Sequence, residues 1–180
     1  PEYPLIWQGW PEYALRWQRW PETRSDGRDS RLARPGGKEE VFMRNIRLTI
    51  EYDGAAYHGW QCQKNGASVQ ETLAGAIAAI TGEWTMPDGA GRTDAGVHAV
   101  GQVACFRTAS RIPAERFADA LNAVLPRNVA ITSSREAPAW FHPRKHATGK
   151  HYRFTVLNRP YRSALLEGRA WHVPAALDLE

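Results

Sequence analysis

Arg92 and Asp94 form the pair of residues in this sequence that most clearly suggests chemistry. They lie two residues apart in DGAGRTDAGVHA (88–99), where glycines and alanines leave room around them. In extended backbone, residues i and i+2 project to the same side, so the two side chains would share a face while Thr93 points away. A guanidinium keeps a nearby carboxylate ionised, and an ionised carboxylate can act as a nucleophile. An ordinary ion pair at a turn is the alternative, because exposed pairs are common.

The same glycine-rich segment could instead cradle a phosphate. A nucleotide-binding loop requires a helix that begins at its last glycine, where backbone N–H groups meet the phosphate. The residues that follow, VHAVGQVACF (97–106), have the alternating period of a strand. The pattern therefore argues against a nucleotide-binding loop.

Metal chemistry is a further possibility, because the chain has six histidines and two cysteines. There is no HExxH motif and no paired CxxC motif, and Pro143 breaks up any helical face shared by His142 and His146. These spacings argue against a metal site. Cys62 and Cys105 fit no metal-ligand spacing and are interpreted as buried or incidental thiols, which indicates a reducing, cytoplasmic setting.

The charge of the chain points to an anionic partner. Its 180 residues suit one main globular domain, and its net charge is +4. Residues 1–42 hold seven basic and seven acidic side chains, so the whole excess belongs to residues 43–180. Residues 135–162 contain seven basic side chains and one acidic side chain, Glu136. Such a local excess is typical of nucleic-acid binding. No apolar run is long enough to span a bilayer, so no membrane partner is expected.

The first 42 residues differ in character from the rest. PEYPLIWQGW is followed directly by PEYALRWQRW, a ten-residue repeat that contains four of the eight tryptophans. Two copies are too few for a solenoid, and the polar, Gly- and Pro-rich residues after them resemble a linker. We expect residues 1–42 to be a disordered appendage, and Met43 to stand at the start of the functional domain, residues 43–180.

The elements that must position Arg92 and Asp94 can be predicted from residue 43 onward. NIRLTIEY (45–52) alternates like a half-buried strand. Ser68 and Glu71 form a capping box before a helix that ends at Gly82. Further elements are a strand at 83–87, a strand at 97–107, a helix from Pro113 to Pro126, and a strand at 128–136.

This order is strand, helix, strand, strand, helix, strand. It is the split βαβ arrangement of ferredoxin-like α+β domains, with an antiparallel sheet and both helices on one face. In the second helix, Phe117, Leu121 and Val124 are predicted to share the buried face. Residues 150–157 alternate again and predict one more strand.

Five segments together resemble the TruA family of tRNA pseudouridine synthases. They are YDGAAYHGWQ (52–61), SVQETLAGAI (68–77), GRTDAGVHA (91–99), LNAVLP (121–126) and KHYRFTVLN (150–158). They occur in the family's order, and the resemblance runs from about Met43 to the end of the chain. Residues 1–42 match nothing in that family.

The resemblance implies a role for individual residues. Asp94 would be the catalytic residue, Arg92 would help to hold the target nucleotide flipped out, and Tyr152 would stack on it. Without the resemblance, a core aromatic in a strand would be the preferred interpretation of Tyr152. His98 is expected to contact the substrate as well. Three basic residues would contact phosphates of the RNA: Arg144, Lys145 and Lys150. The alternative is that they form an ordinary solvated face of the protein.

By the same resemblance, the substrate is uridine in the anticodon stem and loop of tRNA, converted to pseudouridine without a cofactor. Moving uracil from an N1 to a C5 linkage breaks a glycosidic bond, which a carboxylate can initiate as it does in glycosidases. The departing uracil delocalises its charge onto its own carbonyl oxygens, so one acid suffices. Whether Asp94 attacks the sugar or the base stays open.

Two departures from the family pattern accompany the resemblance. Family members continue into a second, similarly folded half, so residues 43–180 are expected to be the first half of a catalytic domain with the start of the second. The full-length protein would be a homodimer. Pro143 stands where the family more often has a small residue. The alternative function is a noncatalytic RNA-binding module left by loss of the second half.

Overall fold

The computed structural model describes residues 42–178, and Met43–Glu180 form a compact unit distinct from Pro1–Phe42. The interpretation of residues 1–42 as a disordered appendage therefore falls outside the described residues, apart from Phe42. No helix of the described part is both long enough and apolar enough to cross a membrane.

The unit is an α+β fold built on a four-stranded antiparallel sheet. The strands are β1 (Arg44–Tyr52), β2 (Asp88–Gly89), β3 (Ala99–Thr108) and β4 (Val129–Ala137), in the spatial order β2-β3-β1-β4. Leu48 of β1 lies opposite Ala104 of β3 on one side and Ser134 of β4 on the other. The predicted strands at 45–52, 97–107 and 128–136 are therefore confirmed to within two residues.

The predicted strand at 83–87 is wrong. The only residues of this region that pair as a strand are Asp88 and Gly89, opposite Cys105 and Ala104. Pro87, directly before them, has no N–H to donate to a ladder, so pairing can begin only after it. A strand thus starts inside the glycine-rich segment.

The first helix, α1 (Val69–Thr81), has the predicted bounds. The Ser68 side chain accepts a hydrogen bond from the Glu71 N–H at 3.2 Å, and Gly82 ends the helix in the left-handed conformation that glycine favours. Val69, Leu73 and Ile77 recur at helical spacing and are fully buried. They form the face that packs on the sheet.

The second helix is shorter than predicted. A 3-10 turn at Ala114–Arg116 leads into α2 (Phe117–Asn122), and Val124 is 49% exposed, so its assignment to the buried face is wrong. Beyond Asn122, the Val124 and Leu125 N–H groups both donate to the Leu121 carbonyl in a tighter last turn before Pro126. The Asn122 side chain attaches this end of the helix to β4, donating to the Ile131 carbonyl and accepting from its N–H. Phe117 is fully buried, as predicted.

Both helices pack on the same face of the sheet. Alternate residues of β1 project to one side, and Ile46, Leu48 and Ile50 share one apolar cluster with residues of α1 and α2. Phe106 meets Phe117 edge to face at 5.4 Å between ring centroids. This core fixes the last residue of β1, Tyr52, next to the segment that contains Asp94. That segment leads directly into β3.

The chain beyond β4 is mostly irregular. Only β5 (Val156–Asn158) and β6 (Trp171–Val173) pair there, in parallel, so the prediction of a strand over 150–157 is wrong for residues 150–155. The side chains of residues 150–156 are exposed. An alternating pattern makes a strand only where a neighbouring strand supplies a ladder of hydrogen bonds. Here the Trp171 N–H of β6 donates to the Thr155 carbonyl at 2.8 Å, but the paired strand itself begins only at Val156.

Candidate active site

Asp94 lies at the first position of a turn that leads the chain into β3. The Val97 N–H donates to the Asp94 carbonyl at 3.2 Å, and Gly96 adopts a φ of 78°, which glycine permits without steric cost. The Asp94 side chain is exposed. The carboxylate is therefore presented to solvent at a defined place on a short loop.

Arg92 and Asp94 do not pair with each other. Both belong to the described residues, both are exposed, and no ion pair joins them in the structure. The interpretation of this pair as an ordinary structural ion pair is therefore not supported. Each side chain is available to a ligand.

Thr93, between the two exposed residues, is held at both its side chain and its backbone. Its hydroxyl lies 2.7 Å from the Tyr52 hydroxyl, and its carbonyl accepts the Trp60 N–H at 3.0 Å. Tyr52 ends β1, and Trp60 is almost completely buried. The loop that carries Arg92 and Asp94 is thus fixed to the core through the residue between them.

A second attachment lies two residues earlier in the loop, at Gly91. The Gln102 side chain donates to the Gly91 carbonyl at 2.8 Å. Lys150 lies over the same glycine, since a Cβ added to Gly91 would stand 3.5 Å from the Lys150 Nζ. Of the three residues predicted to contact phosphates, Lys150 is therefore brought to the loop of Asp94.

Tyr152 approaches the same cluster. Burial raises the pKa of Tyr52, hydrogen bonds to the side chains of Thr93 and Gln102 lower it, and the electrostatic influence of Tyr152 adds to the rise. Tyr152 itself is 64% exposed. It is therefore no core aromatic, and its ring is open to a stacking partner.

Both ring nitrogens of His98 contact other parts of the protein. Its Nδ1 lies 3.0 Å from Asp53 Oδ1 and 3.2 Å from the Gly54 N–H, and its Nε2 lies 3.4 Å from the Gly168 carbonyl. A neutral His98 ring whose Nδ1 accepts the Gly54 N–H can donate from Nε2 to the Gly168 carbonyl. A protonated ring can instead form an ion pair with Asp53 through Nδ1. Both nitrogens thus serve internal contacts, and a substrate contact by His98 stays a prediction.

Asp53 is the charged centre of that contact group. A hydrogen bond from the Ala55 N–H holds the pKa of its carboxyl below the ordinary range, and the positive charges of His98 and Arg169 lower this pKa further. The Arg169 guanidinium contacts Asp53 at 2.8 Å. This group ties the residues after β1 to the irregular region that precedes β6.

Arg144 and Lys145 lie elsewhere. Lys145 lines a groove of about 420 Å³ along β3, together with Asp88, Cys105 and Arg107, and the loop of Asp94 is not part of its wall. Burial raises the pKa of the Cys105 thiol to about 11, so this cysteine is a poor nucleophile. Arg144 is exposed. The structure does not bring these two cations to Asp94.

Between residues 42 and 178, no three His, Cys, Asp or Glu side chains converge as a possible metal site.

Sequence reasoning missed the residues that hold the loop. Tyr52 and Trp60 lie in YDGAAYHGWQ, which carried part of the family resemblance without a role for either residue. Gln102 is a polar residue within the apolar alternation of β3, and that irregularity is the signal that could have identified it. Thr93 has no such signal, because its function depends on a partner 41 residues away.

The α+β fold with its antiparallel sheet is consistent with a pseudouridine synthase domain, and the comparison of sequences identifies that class. Residues 48–144 match the family described as tRNA pseudouridine synthase. The chain belongs to this family, and the TruA resemblance inferred from its motifs is confirmed.

The relatives carry a more particular name. The chain is 51% identical over 138 residues to tRNA pseudouridine synthase A of Citrifermentans bemidjiense, and 52% identical over 138 residues to that of Acetivibrio thermocellus. These alignments cover 77% of this chain and 55% and 57% of the two relatives. The protein of the same name in Geobacter sulfurreducens is 50% identical over 137 residues. The chain thus spans about half the length of the curated relatives it matches.

Proposed function

We propose that the protein is a tRNA pseudouridine synthase in which Asp94 initiates the isomerisation of uridine in the anticodon stem and loop. One observation carries the proposal: the Asp of the GRTDAG run is exposed on a loop anchored to the core, with the exposed Arg92 two residues before it and Lys150 against Gly91 of the same loop. Exposure without an internal ion pair is what a reacting carboxylate needs.

The reaction asks little of the protein beyond this carboxylate. In the route through the sugar, an Asp94 oxygen bonds to C1′ while the C1′–N1 bond breaks and its electron pair passes to uracil. The freed uracil turns, its C5 bonds to C1′, and the carboxylate leaves. The C5 proton is lost to solvent and N1 regains one. In the alternative route, Asp94 adds to the base first.

Neighbouring side chains would make the uridine reachable. A base in a stem must be extruded before any group can attack it, at a cost of about a few kcal/mol. Tyr152 offers an exposed ring for stacking, and Arg92 an exposed guanidinium that can occupy the vacated space. Lys150 would contact a phosphate near the reacting nucleotide, with Arg144 and Lys145 on phosphates farther along the RNA.

The proposal extends to the protein as a whole. Because relatives are about twice as long, we infer that this unit is the first half of a catalytic domain of split βαβ type and that a second half completes the cleft. The order of helices and strands supports that arrangement. We further propose a cytoplasmic homodimer that uses no cofactor.

The substitution Asp94→Asn in the full-length protein tests the catalytic assignment. It removes the charge and keeps the shape, so pseudouridine formation on an unmodified tRNA transcript should vanish while the tRNA dissociation constant stays within about twofold. Asp88→Asn is the matched control, since Asp88 is also exposed and lies six residues away. Its turnover should stay near that of the wild type.

Three outcomes are informative. Turnover by Asp94→Asn would refute the assignment of Asp94. A wild-type protein that binds tRNA and forms no pseudouridine would favour the noncatalytic RNA-binding module. Equal losses in the two variants would show that general loss of negative charge, and no specific role of Asp94, reduces activity.

A further inference from the structure

The Tyr52 hydroxyl lies at the junction of three parts of the candidate site. It is 2.7 Å from the Thr93 hydroxyl, and its electrostatic surroundings include the Gln102 and Tyr152 side chains. Tyr52 is only 3% exposed, so the hydroxyl is held by the packing of its ring in the core. Its ring centroid lies 6.2 Å from that of Trp60.

These contacts all converge on the backbone that carries Arg92 and Asp94. Gln102, which influences the Tyr52 hydroxyl, also fixes the Gly91 carbonyl, and Trp60, which packs near Tyr52, fixes the Thr93 carbonyl. The loop is therefore attached at residues 91 and 93, on either side of Arg92 and immediately before Asp94. Tyr52 adjoins the anchors of both positions and contacts Thr93 directly.

From this convergence we infer that Tyr52 is a positioning residue for the reaction, acting on Asp94 through Thr93. This inference rests on the proposed function of Asp94. A hydroxyl at this place fixes the angle at which the loop leaves the core, and with it the direction of the carboxylate. A displacement of about 1 Å at a reacting group can cost on the order of a hundredfold in rate, so the effect on turnover should exceed the effect on folding.

Tyr52→Phe in the full-length protein tests the inference, because it keeps the buried ring and removes only the hydroxyl. We expect kcat on a tRNA transcript to fall roughly tenfold or more, with KM and the tRNA dissociation constant within about twofold of wild type. The Trp60 amide, which donates to Thr93, should exchange its hydrogen faster in this variant.

Tyr57→Phe is the matched control. Tyr57 is also buried at 6% exposure, and its hydroxyl donates to Asn128 at 3.0 Å, away from Thr93. Loss of the Tyr57 hydroxyl should lower the melting temperature about as much as loss of the Tyr52 hydroxyl does. The kcat of Tyr57→Phe should stay within about twofold of wild type. Should Tyr52→Phe fold poorly, Thr93→Val removes the same hydrogen bond from its other end, and Thr93→Ser should restore most of kcat.

The outcomes separate this inference from the proposed function. A kcat near wild type in both Tyr52→Phe and Thr93→Val would overturn the inference while leaving Asp94 untouched. An equal fall of kcat in Tyr52→Phe and Tyr57→Phe would also overturn it, since it would show an effect of stability alone. Turnover by Asp94→Asn would instead remove the proposed function, and the inference with it.

Discussion

Gly59→Ala is the substitution whose cost the structure defines most sharply. Gly59 has a φ of +98°, which side chains other than glycine rarely adopt, and a Cβ added there would lie 2.6 Å from the Thr93 carbonyl oxygen. Real Cβ atoms are essentially never found closer than 3.0 Å to such an atom. The neighbour is backbone, which cannot swing aside as a flexible side chain would.

Two contributions add up to the expected loss of stability. Placing alanine in left-handed backbone costs roughly 1–2 kcal/mol. Relieving the contact must move Thr93 away from Trp60, whose N–H donates to the same carbonyl, and a lost hydrogen bond costs about 1 kcal/mol. The free energy of unfolding should therefore fall by roughly 2–3 kcal/mol.

Gly82→Ala separates the two contributions. Gly82 also has a positive φ, of 76°, but a Cβ there would meet nothing within 4 Å. This variant should lose only the backbone contribution, roughly 1–2 kcal/mol. Urea unfolding followed by circular dichroism gives both free energies, and a cost for Gly59→Ala no larger than that for Gly82→Ala would refute the close approach of residue 59 to the loop of Asp94.

Two further predictions concern charge. Lys150→Ala should reduce the slope of log tRNA affinity against log salt by about one ion, because each phosphate contact releases about one counterion; an unchanged slope would remove Lys150 from the RNA contact. Asp53 has a lowered folded pKa, so its stabilisation is present in full above the ordinary carboxyl pKa and is lost as the pH falls through the folded value. Asp53→Asn should therefore destabilise the protein at neutral pH, and the melting temperature of this variant should fall less steeply than that of the wild type below about pH 4. An equally steep fall in the two proteins would contradict this.

The fold was predictable where local chemistry and tertiary packing agree. β1 alternates strictly, and α1 has both a capping serine and a terminal glycine, so its bounds follow from the sequence. The predictions failed in three segments for different reasons. Pairing near 83–87 begins only after Pro87, which has no N–H to donate, and the backbone before Pro126 continues in irregular turns after Asn122. Residues 150–155 alternate in sequence, but the strand that pairs with β6 begins only at Val156.

The candidate site was predictable to a different degree. The family motif marked Asp94, Arg92 and Tyr152, since residue types and their order survive without knowledge of contacts. The buried partners of the loop could not be inferred, because a tyrosine at the end of an alternating strand has the pattern of an ordinary core residue. The exposure of Tyr152 likewise depends on the missing strand partner and not on its own neighbours in sequence.

Three glycines around the loop of Asp94 serve close packing: Gly89 of the segment that suggested a phosphate-binding loop, and Gly54 and Gly59 of the segment after β1. Gly54 has no room for a side chain because the Val97 carbonyl lies against it, and a Cβ on Gly89 would stand 2.6 Å from the Trp60 indole. With Gly59 against Thr93, both segments use glycine to let two stretches of backbone meet, residues 54–60 on one side and residues 89–97 on the other. A phosphate cradle would instead leave its backbone N–H groups directed outward at a helix start. Here the close approach anchors the loop from within, and that leaves the side chains of Arg92 and Asp94 as its exposed charged groups.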